Sequence, residues 1–262
     1  MIKLLVVSGM LMLSAGSNAQ DFLPTNTKLS ATEISSEEIR SLDVNNIADL
    51  KAADILKKAL KAYGGEKAIG ALKDIQLNGT VDIMGQFLEY SQKNVFPNGF
   101  ATAVSMGGSP IMKQLKKDTA YDLQMPGAAA DVQIDDATKE EIDMRAAFFT
   151  ERFMLTNPKF IYTLKDNEQV DGSDAYVISV VSPRGSESTL YYDVATGFKV
   201  QEKREASNPM GGEMTVITKF KDYQSFEGIK VPTKISIDLG QFTQDILIKE
   251  VKVNQGLQLT DL

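Results

Sequence analysis

From Asp74 onward, apolar and polar residues alternate along the chain, and this period of two constrains the fold more than any other feature. Ile75, Leu77, Val81 and Ile83 alternate with polar neighbours, a pattern typical of a strand with one face buried and one face in water. Short turns rich in Gly, Pro and Asn separate this strand from those that follow. Because connections this short join only antiparallel neighbours, the pattern predicts an antiparallel meander.

Periodicity and turn residues together place the predicted elements. Helical spacing predicts a helix from Lys51 to Tyr63, ended by Gly64-Gly65, and a shorter helical piece from Glu66 to Leu72. Acidic residues at its start and Pro158 beyond its end favour a second helical region over 136–155. The predicted strands cover 75–83, 87–96, 100–106, 111–115, 119–123, 161–164, 175–181, 188–193, 198–205, 214–223, 231–239 and 243–253. The fold class is therefore α+β, a curled antiparallel sheet with one helix before it and helices inserted midway.

The N-terminus has the layout of a secretory signal peptide. Lys3 supplies a positive charge, Leu4 to Ala15 is apolar, and Ser17-Asn18-Ala19 places small side chains before a cleavage site. We therefore predict a signal peptide over 1–19, a polar leader or linker over 20–50, and one domain over 51–262. No later stretch approaches the ~20 apolar residues of a membrane-spanning helix, so we expect a soluble, exported protein in the periplasm.

Missing residue types and net charge exclude several function classes. The chain contains neither His nor Cys, which removes Ser-His-Asp catalysis, thiol chemistry and zinc sites built on these side chains. A formal net charge of −7 argues against nucleic acid as a partner. The acidic run from Asp131 to Asp143 fails the calcium-loop template, because Asp136 stands where that loop needs Gly. We predict no catalytic residue, no metal site and no cofactor.

Methionine is the more informative residue type. Most methionines beyond the signal peptide flank turns, and two lie on the inserted helices beside phenylalanines. Met is flexible and polarizable and adapts to varied apolar partners, so this distribution predicts an apolar cavity under a helical cover, although ordinary core packing explains any single Met. The candidate ligand-binding residues are Met84, Phe87, Met106, Met112, Met125, Met144, Phe148, Phe149, Phe153, Met154, Met210 and Met214.

Several short motifs, in order along the chain, resemble a known family. They are Tyr63-Gly64-Gly65, Asp174-Ala175-Tyr176, Tyr191-Tyr192-Asp193 with Thr196-Gly197-Phe198, and Phe220 with Asp222-Tyr223 before Gly228-Ile229-Lys230-Val231-Pro232. Together they resemble the outer-membrane lipoprotein-sorting (LolA/LolB-like) proteins over about Ala52 to Leu262. The resemblance is to a divergent Bacteroidetes-type branch that also occurs appended to pitrilysin-type zinc peptidases.

This resemblance implies an incomplete β-barrel whose concave face is covered by helices. It also implies a non-catalytic carrier that holds lipid or the acyl chains of a lipoprotein. Two other interpretations stay open: a protein-binding or scaffolding domain that acts with another exported protein such as a peptidase, and a hydrolase. An apolar patch on the convex face would favour the second interpretation, and a buried pair of converging carboxylates would favour the third.

Overall fold

The computed structural model of the chain describes residues 36–125, 134–207 and 213–262. Its helices lie before the first strand or midway along the chain. They are α1 (Ser36–Tyr63), α2 (Gly65–Gly70), α3 (Asp136–Ala146) and α4 (Thr150–Thr156). Within the described ranges, no helix has both the length and the apolar character needed to cross a membrane.

The strands of the described ranges belong to one antiparallel sheet of 12 strands. They are β1 (Asp74–Ile83), β2 (Gln86–Val95), β3 (Gly99–Met106), β4 (Ser109–Lys117), β5 (Ala120–Gln124), β6 (Ile161–Val170), β7 (Ser173–Val181), β8 (Glu187–Asp193), β9 (Lys199–Ser207), β10 (Glu213–Phe226), β11 (Ile229–Asp238) and β12 (Thr243–Val253). A short 3-10 turn, Leu259–Asp261, follows the last strand.

The strand order shows two meanders joined in the middle of the sheet. From one edge to the other it is β5-β4-β3-β2-β1-β12-β11-β10-β9-β8-β7-β6. β1 pairs with β12, so the first and last strands of the domain are neighbours. β5 and β6 form the two edges and do not pair with each other, and α3 and α4 lie in the connection between them. The curled sheet therefore stays open, as the predicted incomplete barrel requires.

The main hydrophobic core lies on the concave face of the sheet. Ile75, Leu77, Val81 and Ile83 of β1 are all buried in it, which confirms the predicted alternation. Helix α1 adds Leu56 and other apolar residues to the same cluster. The sheet is strongly twisted at its β6 end. Asp171 in the β6–β7 turn forms ion pairs with Lys219 and Lys221 of β10, although two strands lie between β7 and β10 in the sheet.

The end of α1 packs closely against a hairpin. Gly64 has a φ of 137°, and a Cβ atom on it would lie 2.4 Å from the carbonyl oxygen of Gly228 in the β10–β11 turn. Only glycine allows both this backbone conformation and this approach. The helix end predicted at Gly64-Gly65 therefore also positions α1 against the sheet.

Two boundaries differ from the sequence expectation. Helix α1 begins at Ser36 rather than Lys51, so part of the expected linker is helical, because no Gly or Pro interrupts residues 36–50. Strand β6 continues to Val170 instead of ending at Leu164. Its second half is polar and exposed on both faces at a sheet edge, and it contains an irregularity after Lys165, so it has no apolar alternation for a pattern to detect. The other predicted strands are confirmed to within a few residues.

Candidate functional site

A cavity of about 440 Å³ lies between the concave face of the sheet and residues 136–156, which we call the cover segment. This volume falls within the range typical of small-molecule sites, roughly 300–1,000 Å³. The cavity is therefore the candidate functional site.

The floor of the cavity is apolar because alternate residues of neighbouring strands point to the same face. These residues come from both meanders. They are Leu77 of β1, Val180 of β7, Leu190 of β8, Phe220 of β10, Ile235 and Ile237 of β11, and Ile246 of β12.

The cover segment supplies the opposite wall through Met144, Phe148, Phe149 and Met154. Phe148 joins α3 to α4 with a φ of 61°, a left-handed conformation that is uncommon for a bulky residue. This sharp turn places Phe148 and Phe149 edge to face, with ring centroids 5.0 Å apart. Phe149 also stacks on Tyr63 of α1 at 5.3 Å, so the cover is fixed to the first helix.

Polar contacts hold α3 on the sheet. Asn94 of β2 is fully buried, and its Nδ2 donates hydrogen bonds to the carbonyl oxygens of Arg145 (2.9 Å) and Ala146 (3.2 Å). These carbonyls belong to the last turn of α3, where the helix supplies no further donors, and the Arg145 carbonyl also accepts a bond from the Phe148 backbone N–H (3.1 Å). Asp143 accepts a hydrogen bond from the Tyr121 hydroxyl (2.7 Å) and forms an ion pair with Lys116.

A buried carboxylate fixes α4 at the cavity wall. Glu151 is 2% exposed, and its Oε1 accepts hydrogen bonds from the hydroxyls of Tyr63 (3.1 Å) and Tyr192 (2.9 Å). Burial, followed by the negative charge of Glu151, raises the pKa of both tyrosines. Both hydroxyls therefore stay protonated and act as donors.

Lys199 lies between two carboxylates beside this network. Its Nζ is 3.1 Å from Glu202 and 4.0 Å from Glu151. Burial lowers the pKa of Lys199, but the charges of Glu202 and Glu151 more than offset this and raise it overall. Burial likewise raises the pKa of Glu202, and Lys199 reverses the effect and lowers it. Both groups are therefore charged at neutral pH, as in a structural ion pair.

One further ion-pair group links the cover segment to β9. Glu141 of α3 accepts a bond from Arg145 at 2.7 Å on the same helix and lies 3.4 Å from Arg204 on the sheet. All three residues line the cavity. The site thus combines an apolar floor with a charged band along β9 and α3, an arrangement that suits an amphipathic ligand.

The structure places the sequence-predicted residues in several environments. Met144, Phe148, Phe149 and Met154 line the cavity. Met112, Met125, Phe153 and Met214 belong to the core or pack against it, without lining the cavity. Met84, Phe87 and Met106 are exposed near hairpin tips, and Phe87 points to the convex face because it alternates with the buried Leu88. Met210 lies outside the described residues.

Sequence reasoning missed the polar part of the site. Glu151, Lys199, Glu202 and Arg204 all line the cavity, and none was singled out. One signal was present: β9 reads KVQEKREAS, a strand whose inward positions are charged rather than apolar. Such a strand in a buried sheet indicates that its inward face meets other charged groups.

Comparison with known proteins places the fold. No protein-family model and no curated protein sequence matches the chain. A putative outer membrane lipoprotein-sorting protein domain from Vibrio parahaemolyticus matches with a TM-score of 0.57 and 14% identity, over 81% of this chain and 96% of that one. A LolA superfamily protein from Nitrosomonas europaea matches with a TM-score of 0.52 and 14% identity, over 79% and 94%.

The chain has the LolA-like fold. A DUF1329 family protein from Desulfovibrio piger shares it too, with a TM-score of 0.53 and 13% identity over 80% of this chain and 95% of that one. The resemblance predicted from short motifs is thus confirmed at the level of the fold. In this chain the cavity occupies the space between the open sheet and its helical cover.

Proposed function

We propose that the chain is a non-catalytic carrier that binds a lipid, or the acyl chains of a lipoprotein, in the cavity under the cover segment. The observation that carries this proposal is the apolar floor of a cavity of about 440 Å³ facing Met and Phe side chains of the cover. An acyl chain is the ligand that such walls accommodate without specific polar anchors. The LolA-like fold supports the same class of function.

Burial of an acyl chain supplies much of the free energy of binding. Each buried methylene contributes ~0.8 kcal/mol, so eight methylenes contribute about 6 kcal/mol before ordering costs. Ordering costs reduce this figure, so contacts of a head group with the charged band supply the rest of the ~8 kcal/mol that micromolar binding requires. The flexible Met144 and Met154 side chains adapt the wall to chains of different shape.

The arrangement of ionisable groups supports a non-catalytic role. The buried carboxylate of Glu151 and the half-buried carboxylate of Glu202 both lie close to Lys199. Glu202 has a lowered pKa and Lys199 a raised one, so neither is poised to donate or accept a proton near neutral pH. In a catalytic acid–base pair, by contrast, the pKa values of the two groups are shifted toward neutral pH.

The cellular context remains as the sequence predicts it. A signal peptide over 1–19 delivers the mature chain, from about Gln20, to the periplasm, where a carrier of lipoprotein acyl chains would act.

A cavity-filling substitution tests the proposal. Thr218 lines the cavity from β10, and Thr215 lies on the exposed face of the same strand. Thr218→Phe fills part of the cavity, so saturable binding of a fluorescent fatty-acyl probe should weaken at least about tenfold, or ~1.4 kcal/mol. The matched variant Thr215→Phe should bind like the unmodified protein. Equal binding by all three proteins, or no saturable binding to any, contradicts the carrier function.

A second candidate function, a protein-binding or accessory domain, is favoured by one observation. Large apolar side chains, among them Met84 and Phe87, are exposed away from the cavity on hairpin tips of the sheet. Such residues are typical of interaction surfaces. The association with an exported peptidase that the family resemblance suggests belongs to this alternative.

A further inference from the structure

Exposed apolar side chains are grouped at one end of the sheet, outside the cavity. Met84 in the β1–β2 turn is 74% exposed, Phe87 in β2 is 72% exposed, and Met106 at the end of β3 is 44% exposed. Because Glu89 of β2 is directly opposite Ser105 of β3, the tips of the β1–β2 and β3–β4 hairpins lie side by side. Apolar side chains grouped in this way mark an interaction surface.

Carboxylates surround Phe87 on the convex face, whereas Met106, next to Ser105, lies on the side of Leu88. Phe87 alternates with the buried Leu88, so it points away from the core. Asp82 is directly opposite Phe87 on β1, and Asp245 is directly opposite Asp82 on β12. A row of one aromatic and two acidic side chains therefore crosses three strands. Glu89 lies two residues along β2 from Phe87, on the same face and also exposed.

These carboxylates are not neutralised by the protein itself. In the part of the chain that the structure describes, Asp82, Glu89 and Asp245 form no ion pair with a lysine or arginine. Like charges directly opposite on antiparallel strands are destabilising, which applies to Asp82 and Asp245. A cationic group placed between them would remove this repulsion.

We propose that this convex surface docks a basic segment of another protein that also carries apolar side chains. We call it the acidic tip, defined by Asp82, Met84, Phe87, Glu89 and Asp245. Aromatic residues and Met are enriched at protein interfaces and supply the apolar contacts. The carboxylates supply charge complementarity, which sets specificity and speeds association. The same carboxylates oppose contact with an anionic membrane surface, which attracts basic segments and repels acidic ones. This inference does not depend on what the cavity holds.

The test compares two labelled peptides with leucines at the same positions, one with lysine and one with glutamate at all other positions. Fluorescence anisotropy with the full purified protein should show saturable binding of the lysine peptide only. Raising the salt concentration from about 0.1 M to 1 M should weaken this binding, because the screening length falls from ~10 Å to ~3 Å. Binding of both peptides alike, or of neither, overturns the proposal.

Matched variants locate the surface. Asp82→Asn with Asp245→Asn should weaken binding of the lysine peptide at least about tenfold. The fold should survive, because the amide oxygen that replaces the Asp82 carboxylate can still accept the 2.8 Å bond from the Gly85 backbone N–H. Met84→Ser with Phe87→Ser should weaken binding similarly. The controls are Asp166→Asn with Glu168→Gln, and Ile161→Ser, all at exposed positions on the distant edge strand β6. Equal losses in the controls contradict the proposed location.

A vesicle experiment distinguishes a protein partner from a membrane surface. Vesicles of phosphatidylcholine, with and without phosphatidylglycerol, are sedimented with the protein. The proposal predicts that the protein stays in the supernatant in both cases. Sedimentation that Met84→Ser with Phe87→Ser abolishes would make the tip a membrane contact and overturn the proposed partner class.

Discussion

Glu151 of α4 accepts a hydrogen bond from the hydroxyl of Tyr192 on β8, 2.9 Å away and fully buried. The same carboxylate oxygen accepts a bond from Tyr63 of α1. One side chain thus ties the cover segment, the sheet and the first helix together at the cavity wall. Because charged hydrogen bonds in a buried site are strong only when every partner is present, this network sets where the cover sits.

Removing the carboxylate should destabilise the protein strongly. Glu151→Ala leaves two buried hydroxyls without their acceptor and removes a negative charge near Lys199, so we expect a loss of about 3–5 kcal/mol in the free energy of unfolding. Tyr192→Phe should lose only about 0.5–1.5 kcal/mol, because Glu151 keeps its bond from Tyr63. Urea unfolding measures both, and equal losses for the two variants would show that Glu151 is not the centre of the network.

The amide of Asn94 should determine how firmly α3 is held. Asn94→Ala removes the side-chain donor to the Ala146 carbonyl and one of the donors to the Arg145 carbonyl, which also accepts from the Phe148 backbone N–H. We expect faster hydrogen exchange across Asp136–Ala146, measured by mass spectrometry. Asn78→Ala on the convex face of β1 is the control, since its side chain bonds to Gln76 and Glu250 on that face. Unchanged exchange in α3 on replacement of Asn94 would exclude an anchoring role.

Sequence reasoning succeeded where the chemistry is repetitive. Alternation in β1 and the turn residues after it predicted the antiparallel meander, because burial of one face imposes a period of two. It failed where partners meet only in space. Glu151 and Lys199 are 48 positions apart in the chain and become a pair only when the cover segment folds onto β9. Position next to a turn likewise does not determine whether a methionine lines the cavity. A turn places Met84 at the end of a hairpin, where its side chain is exposed and not under the cover segment.

Acid should weaken the contact that joins the β6–β7 turn to β10. Hydrogen bonds from Lys219 and Lys221 lower the pKa of Asp171 to about 2. A lowered carboxyl pKa stabilises the fold above the unfolded value of ~3.9, and this contribution disappears as the pH falls through about 2. Asp171→Asn should therefore be less stable than the unmodified protein at pH 7, by less than ~1 kcal/mol for so exposed a pair. Thermal unfolding should show the difference vanish near pH 2, and a difference that persists there would contradict the assignment.

High pH should weaken the contact between α3 and β5. Burial, followed by the hydrogen bond to Asp143, raises the pKa of Tyr121 to about 12. A raised tyrosine pKa stabilises the fold below the unfolded value of ~10, and this stabilisation is lost as the pH rises through about 12. In an ultraviolet titration, the signal of Tyr121 is the one that is missing from the Tyr121→Phe variant. Asp143→Asn should lower the pKa of Tyr121 toward 10. An unchanged titration would show that Asp143 does not set this pKa.

Native mass spectrometry of the protein purified from its own cells tests the central claim most directly. A carrier whose cavity of about 440 Å³ faces apolar walls should retain a lipid, seen as a mass above that of the polypeptide. Collisional activation should release that mass as an acyl-containing molecule, and the Thr218→Phe variant should carry less of it than Thr215→Phe. A spectrum of the bare polypeptide alone, together with no saturable binding of added acyl probe, would contradict the carrier function.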